Sequence, residues 1–256
     1  MRFVVKRLGL FVVALFGLSL LVFVLLRMLP GDVAAVIAGT NAAPERIASL
    51  RTELGLDKSY VAQYGDWMLG LLHGDLGVST IGGKAVSAQV ASRASVTFPL
   101  IIVSLLIALA IGLPLGCAAV LTRNARLRGL CHGIAIVAGA IPALWGGLLL
   151  ILLFSRGSGL LGLLPAQGFP DNGWGAPLQA LASLILPALA TGVTAGASIM
   201  RYTRAAVGDK ASSQAVDMAM ACGMTRKQAV LRVALRLATP QLVSVIGLTF
   251  ARWSPV

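Results

Sequence analysis

Phe98 to Leu121 reads FPLIIVSLLIALAIGLPLGCAAVL, twenty-four residues without a charged side chain. At about 1.5 Å of rise per residue a helix of this length covers about 36 Å, more than the ~30 Å hydrocarbon core of a bilayer. Three further runs have the same character: Leu8 to Leu26 with 19 residues, Leu130 to Phe154 with 25, and Leu178 to Met200 with 23. Pro99, Pro114, Pro142 and Pro187 lie within or at the ends of these runs. Proline is tolerated at membrane depth where neighbouring groups satisfy the carbonyls it frees, so the helices are expected to pack as a bundle.

Composition agrees. The 256 residues are 57% hydrophobic and 12% charged, where an ordinary soluble domain has about 45–50% apolar and about 25% charged residues. Disordered chains are poor in apolar residues and rich in charge, so that class is excluded too. The fold class is therefore an all-α membrane protein, a polytopic helical bundle. Cys117, Cys131 and Cys222 show no paired spacing and imply no disulfide framework. Arg2, Lys6 and Arg7 precede the first run. That run is longer than the core of a secretory leader and no small-x-small site follows it, so it reads as a span, not a cleaved leader.

The net charge of +12 is distributed by topology. With Met1 inside, the cytoplasmic pieces are 1–7, 122–129 and 201–241. They hold thirteen basic residues against two acids, Asp209 and Asp217, while the rest of the chain holds eight basic and seven acidic residues. Lys and Arg near span ends set orientation, and Arg123-Asn124-Ala125-Arg126-Leu127-Arg128 is the cleanest marker of the inner face. The high charge thus reports membrane orientation, and no nucleic-acid partner is implied.

The spans are read as 8–26, 98–121, 130–154 and 178–200, with outer segments at 27–97 and 155–177. Within 27–97, Pro44 and Glu45 open a helix that Gly55 ends. A second helix over about Ser59 to Leu72 aligns Tyr60, Tyr64, Trp67 and Leu71. Tyr64, Trp67 and Leu69 to Leu72 suit a headgroup interface. This segment reads as an outer cap, with direct substrate contact as the alternative.

The inner segment 201–241 carries the most specific pattern. Ser213 to Cys222 is helix-competent, lined with the small residues Ala211, Ala215, Ala219 and Ala221, and Gly223 fits a left-handed position after the helix. Thr225-Arg226-Lys227-Gln228 is a capping box that starts a new helix. Asp217 is a lone acid among bases: either solvated, paired with Arg226, or an anchor for a partner protein.

Chemistry within the chain is not indicated. It contains no Gly-x-x-x-x-Gly-Lys-Ser/Thr phosphate loop and no His-Glu-x-x-His zinc motif. His73 and His132 are isolated. No acid lies in the four runs, whereas ion-coupled carriers keep ionisable groups there. No cofactor is implied, and energy is expected to enter through the inner loop. Gly112-x-x-x-Gly116 and Gly192-x-x-x-Gly196 read as close helix contacts.

Asp217-Met218-Ala219-Met220-Ala221-Cys222-Gly223 resembles the EAA-type loop of ABC-transporter permeases. Met28-Leu29-Pro30-Gly31-Asp32, then Leu54-Gly55-Leu56-Asp57, Gln63-Tyr64-Gly65-Asp66-Trp67 and His73-Gly74-Asp75-Leu76-Gly77-Val78-Ser79 occur in the order seen in the first permease subunit of dipeptide, oligopeptide and nickel importers. The resemblance covers essentially all of 1–250. It implies the ABC importer permease fold in the plasma (inner) membrane, with the N-terminus cytoplasmic. It also implies a second permease subunit, two cytoplasmic ABC ATPase subunits, an external solute-binding protein and contact with membrane lipid. The substrate implied is a peptide, nickel or another small solute. By the same resemblance, Asp217, Ala219, Ala221, Gly223, Thr225 and Arg226 couple to the ATPase. Two departures are expected to matter unequally. Thr239-Pro240 comes one position early for the family pattern, and the family continues through further spans where this chain reads Ala251-Arg252-Trp253-Ser254-Pro255-Val256. The expectation is an incomplete fifth span over 242–256. The alternative function is a non-transporting membrane anchor that recruits a cytoplasmic partner.

Overall fold

The computed structural model describes residues 2–28, 32–39, 42–79, 84–157, 159–165 and 168–253, without the side chains of 127, 128, 131 and 132. Two compact units make up the chain, Met1–Arg93 and Ala94–Val256. Among the described residues the regular structure is helical, with only two isolated β-bridges, Val78 with Ala85 and Ser155 with Leu164.

The first unit contains α1 (Arg2–Met28), α2 (Val33–Ala38), α3 (Pro44–Glu53) and α4 (Tyr60–Leu72). The Asp32 carboxylate fixes the start of α2 and joins it to α3. One oxygen accepts from the Ala34 N–H at 3.0 Å, and the other accepts from Arg51 Nε at 3.2 Å and Nη2 at 2.9 Å. The Arg51 guanidinium holds this carboxyl below the usual carboxylate range. Gly55, at φ +65°, ends α3 as the sequence implies. The Gln63 amide then closes the turn into α4 by donating to the carbonyls of Leu56 and Lys58. α4 docks on α1: Tyr64 OH and Ser19 Oγ are 2.8 Å apart, with Phe16 and Phe23 set edge-on to the Tyr64 ring.

The long helix α5 (Val86–Leu121) carries the first apolar run quoted above and keeps Pro99 and Pro114 inside it. A proline in a helix leaves the carbonyl four residues earlier without its usual donor. For Pro99 that carbonyl is Ser95, and it accepts instead from the Trp174 indole N–H at 2.9 Å. α8 (Pro177–Ala211) likewise keeps Pro187 inside it.

The run 130–154 differs from the expected single span. α6 (Ala125–Ala140) and α7 (Ala143–Phe154) are separated by Ile141 and Pro142, and the segments Gly133–Ala140 and Ala143–Phe154 meet at 96°. A residue before proline is pushed out of the helical region. Ile141 at ψ 120° and Pro142 at ψ 138° are both extended, so the chain turns there.

The last boundary also differs. After α9 (Gln214–Ala221), helix resumes at α10 (Arg226–Ala229), passes through one π turn (Val230–Ala234) and continues as α11 (Leu235–Trp253). This continuous piece, Arg226–Trp253, has 28 residues. Helix thus runs unbroken through position 241, where the sequence divides the expected inner segment 201–241 from the expected fifth span 242–256. Arg226, Lys227, Arg232 and Arg236 lie on exposed positions of the helix and do not end it. Residues 254–256 lie outside the described residues. A four-residue step overshoots an α-helical turn by about 40°, and the wider π turn offsets that overshoot. Val230, Ala234, Ala238 and Leu242 thereby share one buried stripe. Among the described residues, α1, α5, α8 and Arg226–Trp253 are each long and apolar enough to cross a membrane, and the bent α6–α7 pair makes a possible fifth crossing.

Glycines join α5 to α8. A Cβ on Gly116 would lie 2.5 Å from Thr203 Cβ, and one on Gly112 would lie 2.7 Å from Ile199 Cγ2 and 2.8 Å from the Gly196 carbonyl oxygen. On the other helix, a Cβ on Gly192 would lie 2.8 Å from the Ser104 carbonyl oxygen. Buried Ser104 adds a hydrogen bond across the same contact, accepting from Thr191 Oγ1 at 2.9 Å. Gly116→Leu and Gly192→Leu are each expected to cost at least the ~1–3 kcal/mol of core overpacking. Thermal unfolding of the solubilised protein measures this, and Gly9→Leu, where a Cβ meets nothing within 4 Å, should leave the transition unmoved.

Candidate functional site

The elbow between α8 and α11 is the site with the most defined geometry. Val216, 1% exposed, anchors α9. It enters a core made with Cys117 of α5, Val207 of α8, Ala229 of α10, Val230 and Ala234 of the π turn, and Ala238 and Leu242 of α11. Ala211, Ala219, Met220 and Met224 pack against this core from its edge. α9 is thus seated by one face on the ends of three longer helices.

The end of α9 is a Schellman turn. The Met224 N–H donates to the Ala219 carbonyl at 3.1 Å and the Gly223 N–H to the Met220 carbonyl at 3.0 Å. That pairing needs a left-handed residue after the helix, usually glycine. Gly223 has φ +90°, and a Cβ built there meets nothing within 4 Å. Its requirement is therefore conformational and not steric within this chain. Thr225 follows at once as the next cap. Its N–H donates to Gln228 Oε1 at 3.0 Å, and its Oγ1 accepts from the Gln228 N–H at 3.3 Å. Only Gly223 and Met224 stand between the C-cap of one helix and the N-cap of the next.

The sequence-predicted coupling residues divide by face. Asp217, Ala221, Gly223, Thr225 and Arg226 are exposed. Ala219 is not available in the same way: three residues after Val216, it falls on the inward face and packs against the core. In exchange, Met218, which the sequence reasoning passed over, is 68% exposed and lies on the outer face with Ala215, Ala221 and Cys222. The signal that finds it is the helical period counted from Val216. Asp217 is exposed and forms no ion pair with Arg226 or with any other described residue. The outer face of α9 is thus a small apolar ridge, Ala215, Met218 and Ala221, with one acid at its side.

This elbow, at the end of a bundle of membrane-length helices, fits a permease that is driven from outside its own chain. The model of the binding-protein-dependent transport system inner membrane component family matches residues 108–253, and the model of that family's N-terminal region matches residues 1–100. The chain belongs to this family, as an ABC importer permease of the dipeptide and oligopeptide type. It is 34% identical over 268 residues to the dipeptide transport system permease protein DppB of Escherichia coli K12, covering 97% of this chain and 79% of that protein. It is 35% identical over 250 residues to the glutathione transport system permease protein GsiC of Escherichia coli O6:H1, covering 98% and 78%. A multi-pass inner membrane protein within a multi-subunit importer follows, and it is not an enzyme, because separate ATPase subunits hydrolyse ATP.

Thr225→Ala removes the side-chain half of the cap and is expected to cost ~1 kcal/mol. Faster hydrogen exchange at the amides of 226–229, with exchange in α5 unchanged, is the measurement.

Proposed function

We propose that this chain and a second permease subunit form a translocation path for peptides, and that cytoplasmic ATPase subunits drive it by docking on residues 213–225. In this reading there are two ATPase subunits, an external solute-binding protein delivers the substrate, and Met1 is cytoplasmic. Relatives named for dipeptide and glutathione transport favour a peptide over nickel or another solute. The observation that carries the docking assignment is α9 itself. It is an exposed ridge of Ala215, Met218 and Ala221, held rigidly from behind by Val216 among the ends of α5, α8 and α11. A partner seated on that ridge meets two alanines that permit close approach and the exposed Met218 side chain between them. Asp217 supplies a carboxylate for a basic group on the partner, and Arg226, at the start of the next helix, supplies the opposite charge.

Orientation follows from the lysines and arginines of 1–7, 122–129 and 201–241, which favour the cytoplasmic face. No acid lies within the four apolar runs, which argues against ion coupling and for energy delivered through the elbow.

Two variants test the docking. Met218→Glu changes only an exposed side chain. It is expected to leave the permease folded while lowering ATPase co-purification and peptide uptake by tenfold or more. Gly223→Val puts a β-branched residue at φ +90°, a strain of ~1–3 kcal/mol, and adds bulk on the outer side, so it should reduce both further. Wild-type co-purification and uptake in both variants defeat the assignment. Uptake of a labelled dipeptide by the assembled transporter, competed by unlabelled peptide and not by nickel, tests the substrate class. In a cysteine-free background, an impermeant maleimide should label position 45 or 171 in intact cells and leave position 225 unlabelled until the membrane is opened.

A further inference from the structure

Ser19 fixes the depth of α4. It lies in the apolar run of α1 that Arg7 and Arg27 bound, eight positions from Arg27 and twelve from Arg7. At about 1.5 Å per residue it stands about 12 Å inside Arg27 and about 18 Å from Arg7. Each leaflet contributes about 15 Å of hydrocarbon. With α1 across the bilayer, Ser19 therefore sits deep in the leaflet on the Arg27 side. Tyr64 of α4 reaches that level. Its hydroxyl is 2.8 Å from Ser19 Oγ, and its ring packs between Phe16 and Phe23, at 6.0 Å and 5.3 Å between centroids.

The rest of α4 suits the same depth. Counting about 100° per residue from Tyr64, Tyr60, Trp67 and Leu71 share the face turned to α1. Val61 and Leu72, at about 60° and 80°, form the adjoining flank, and Leu69, at about 140°, continues it toward the far side. These three are 84%, 57% and 75% exposed, and nothing in the unit covers them. The polar groups lie elsewhere on the helix. Asp66 lies opposite Tyr64, about 60° beyond Leu69, and is neutralised by Lys58 at 2.6 Å, while Gln63 is turned into the α3–α4 turn. An apolar flank beside an anchor at hydrocarbon depth, with its acid paired at the far edge, has the chemistry of a lipid contact.

We propose that α4 is submerged in the leaflet on the Arg27 side of the bilayer, with Val61, Leu69 and Leu72 against lipid acyl chains. The segment after the first span is then not wholly an aqueous cap. One of its helices is part of the membrane-embedded surface and fixes the tilt of α1 through the Ser19–Tyr64 contact.

The unmodified protein, assembled with its partners in vesicles, provides the first test. A phospholipid with a diazirine midway along one acyl chain is photolysed and the crosslinks are mapped by mass spectrometry. Crosslinks are expected in α1 and on Val61–Leu72, and not on Pro44–Glu53. Labelling of α1 with none on α4 overturns the proposal. Spin labels placed singly at positions 61, 69 and 72 identify the cover. Lipid contact predicts collision with oxygen several-fold above collision with an aqueous nickel chelate, and the reverse at position 53. Access to the nickel chelate at all three positions means water. Shielding from both reagents means a protein partner. Either result overturns the proposal.

Discussion

Gly112 and Gly116 of α5 and Gly192 and Gly196 of α8 let two long helices meet backbone to backbone. Whatever packs near their C-terminal ends inherits that geometry. Between apolar helices in lipid there is little hydrophobic gain, so association depends on close van der Waals contact and on hydrogen bonds across the seam. Both are present here: missing side chains at four positions, and the Thr191–Ser104 hydroxyl pair. At the end of the seam, Cys117, next to Gly116, and Val207, one turn past Thr203, join one buried core. Together with the stripe from Ala229 to Leu242 they form the socket that Val216 enters. The place of α9 is thus set by contacts made inside the bundle, and not by the length or composition of the loop that carries it.

The prolines show the same dependence on neighbours. Each removes a donor, and in the absence of water the freed carbonyl must find another partner or the helix must yield. Pro99 is answered by Trp174, whose indole reaches the Ser95 carbonyl from the far side of the sequence, with Phe169 stacked edge-on to it at 5.5 Å. At Pro142 the chain yields instead. α6 and α7 then rest separately on α8, Gly139 beside Ala197 and Arg201, and Gly147 beside Ala190. A run of 25 apolar residues is long enough for a straight crossing, but this break converts it to two short helices.

What was legible in the sequence follows from this. Gly223, Thr225 and Gln228 announce their roles because caps and positive-φ turns are decided within four or five residues. Gly55 and Pro44 were legible in the same way. The apolar runs at 8–26, 98–121 and 178–200 were legible as membrane-length helices, because a bilayer imposes a length. Their helix ends were not, because hydropathy marks the edge of lipid and says nothing of where hydrogen bonding stops. α5 begins twelve residues before its run and α8 continues eleven beyond its own. Helix likewise runs across position 241, because exposed arginines are good helix formers. Ala219 and Met218 could not be sorted by residue type, since smallness suggested contact and only the inward direction of Val216 says which contact. Trp174 was beyond reach, because the carbonyl it serves is 79 positions away.

The elbow also explains how a helix of eight residues can matter to a bundle of membrane length. A flexible loop would absorb a push at its tip. Here the tip has little freedom: a Schellman turn closes one helix, a reciprocal cap opens the next two residues later, and Met224 between them packs into the same core as Ala219. Force on the outer face of α9 therefore passes through Val216 to α5 and α8, and through Ala229 and Val230 to α11. If ATPase subunits dock there, as proposed, their movement reaches the permease as displacement of packed helices. The π turn at Val230–Ala234 stands at the point where that displacement enters α11. It is the one described place where the hydrogen-bond ladder of that helix is already widened, so it is where a change of pitch is least costly.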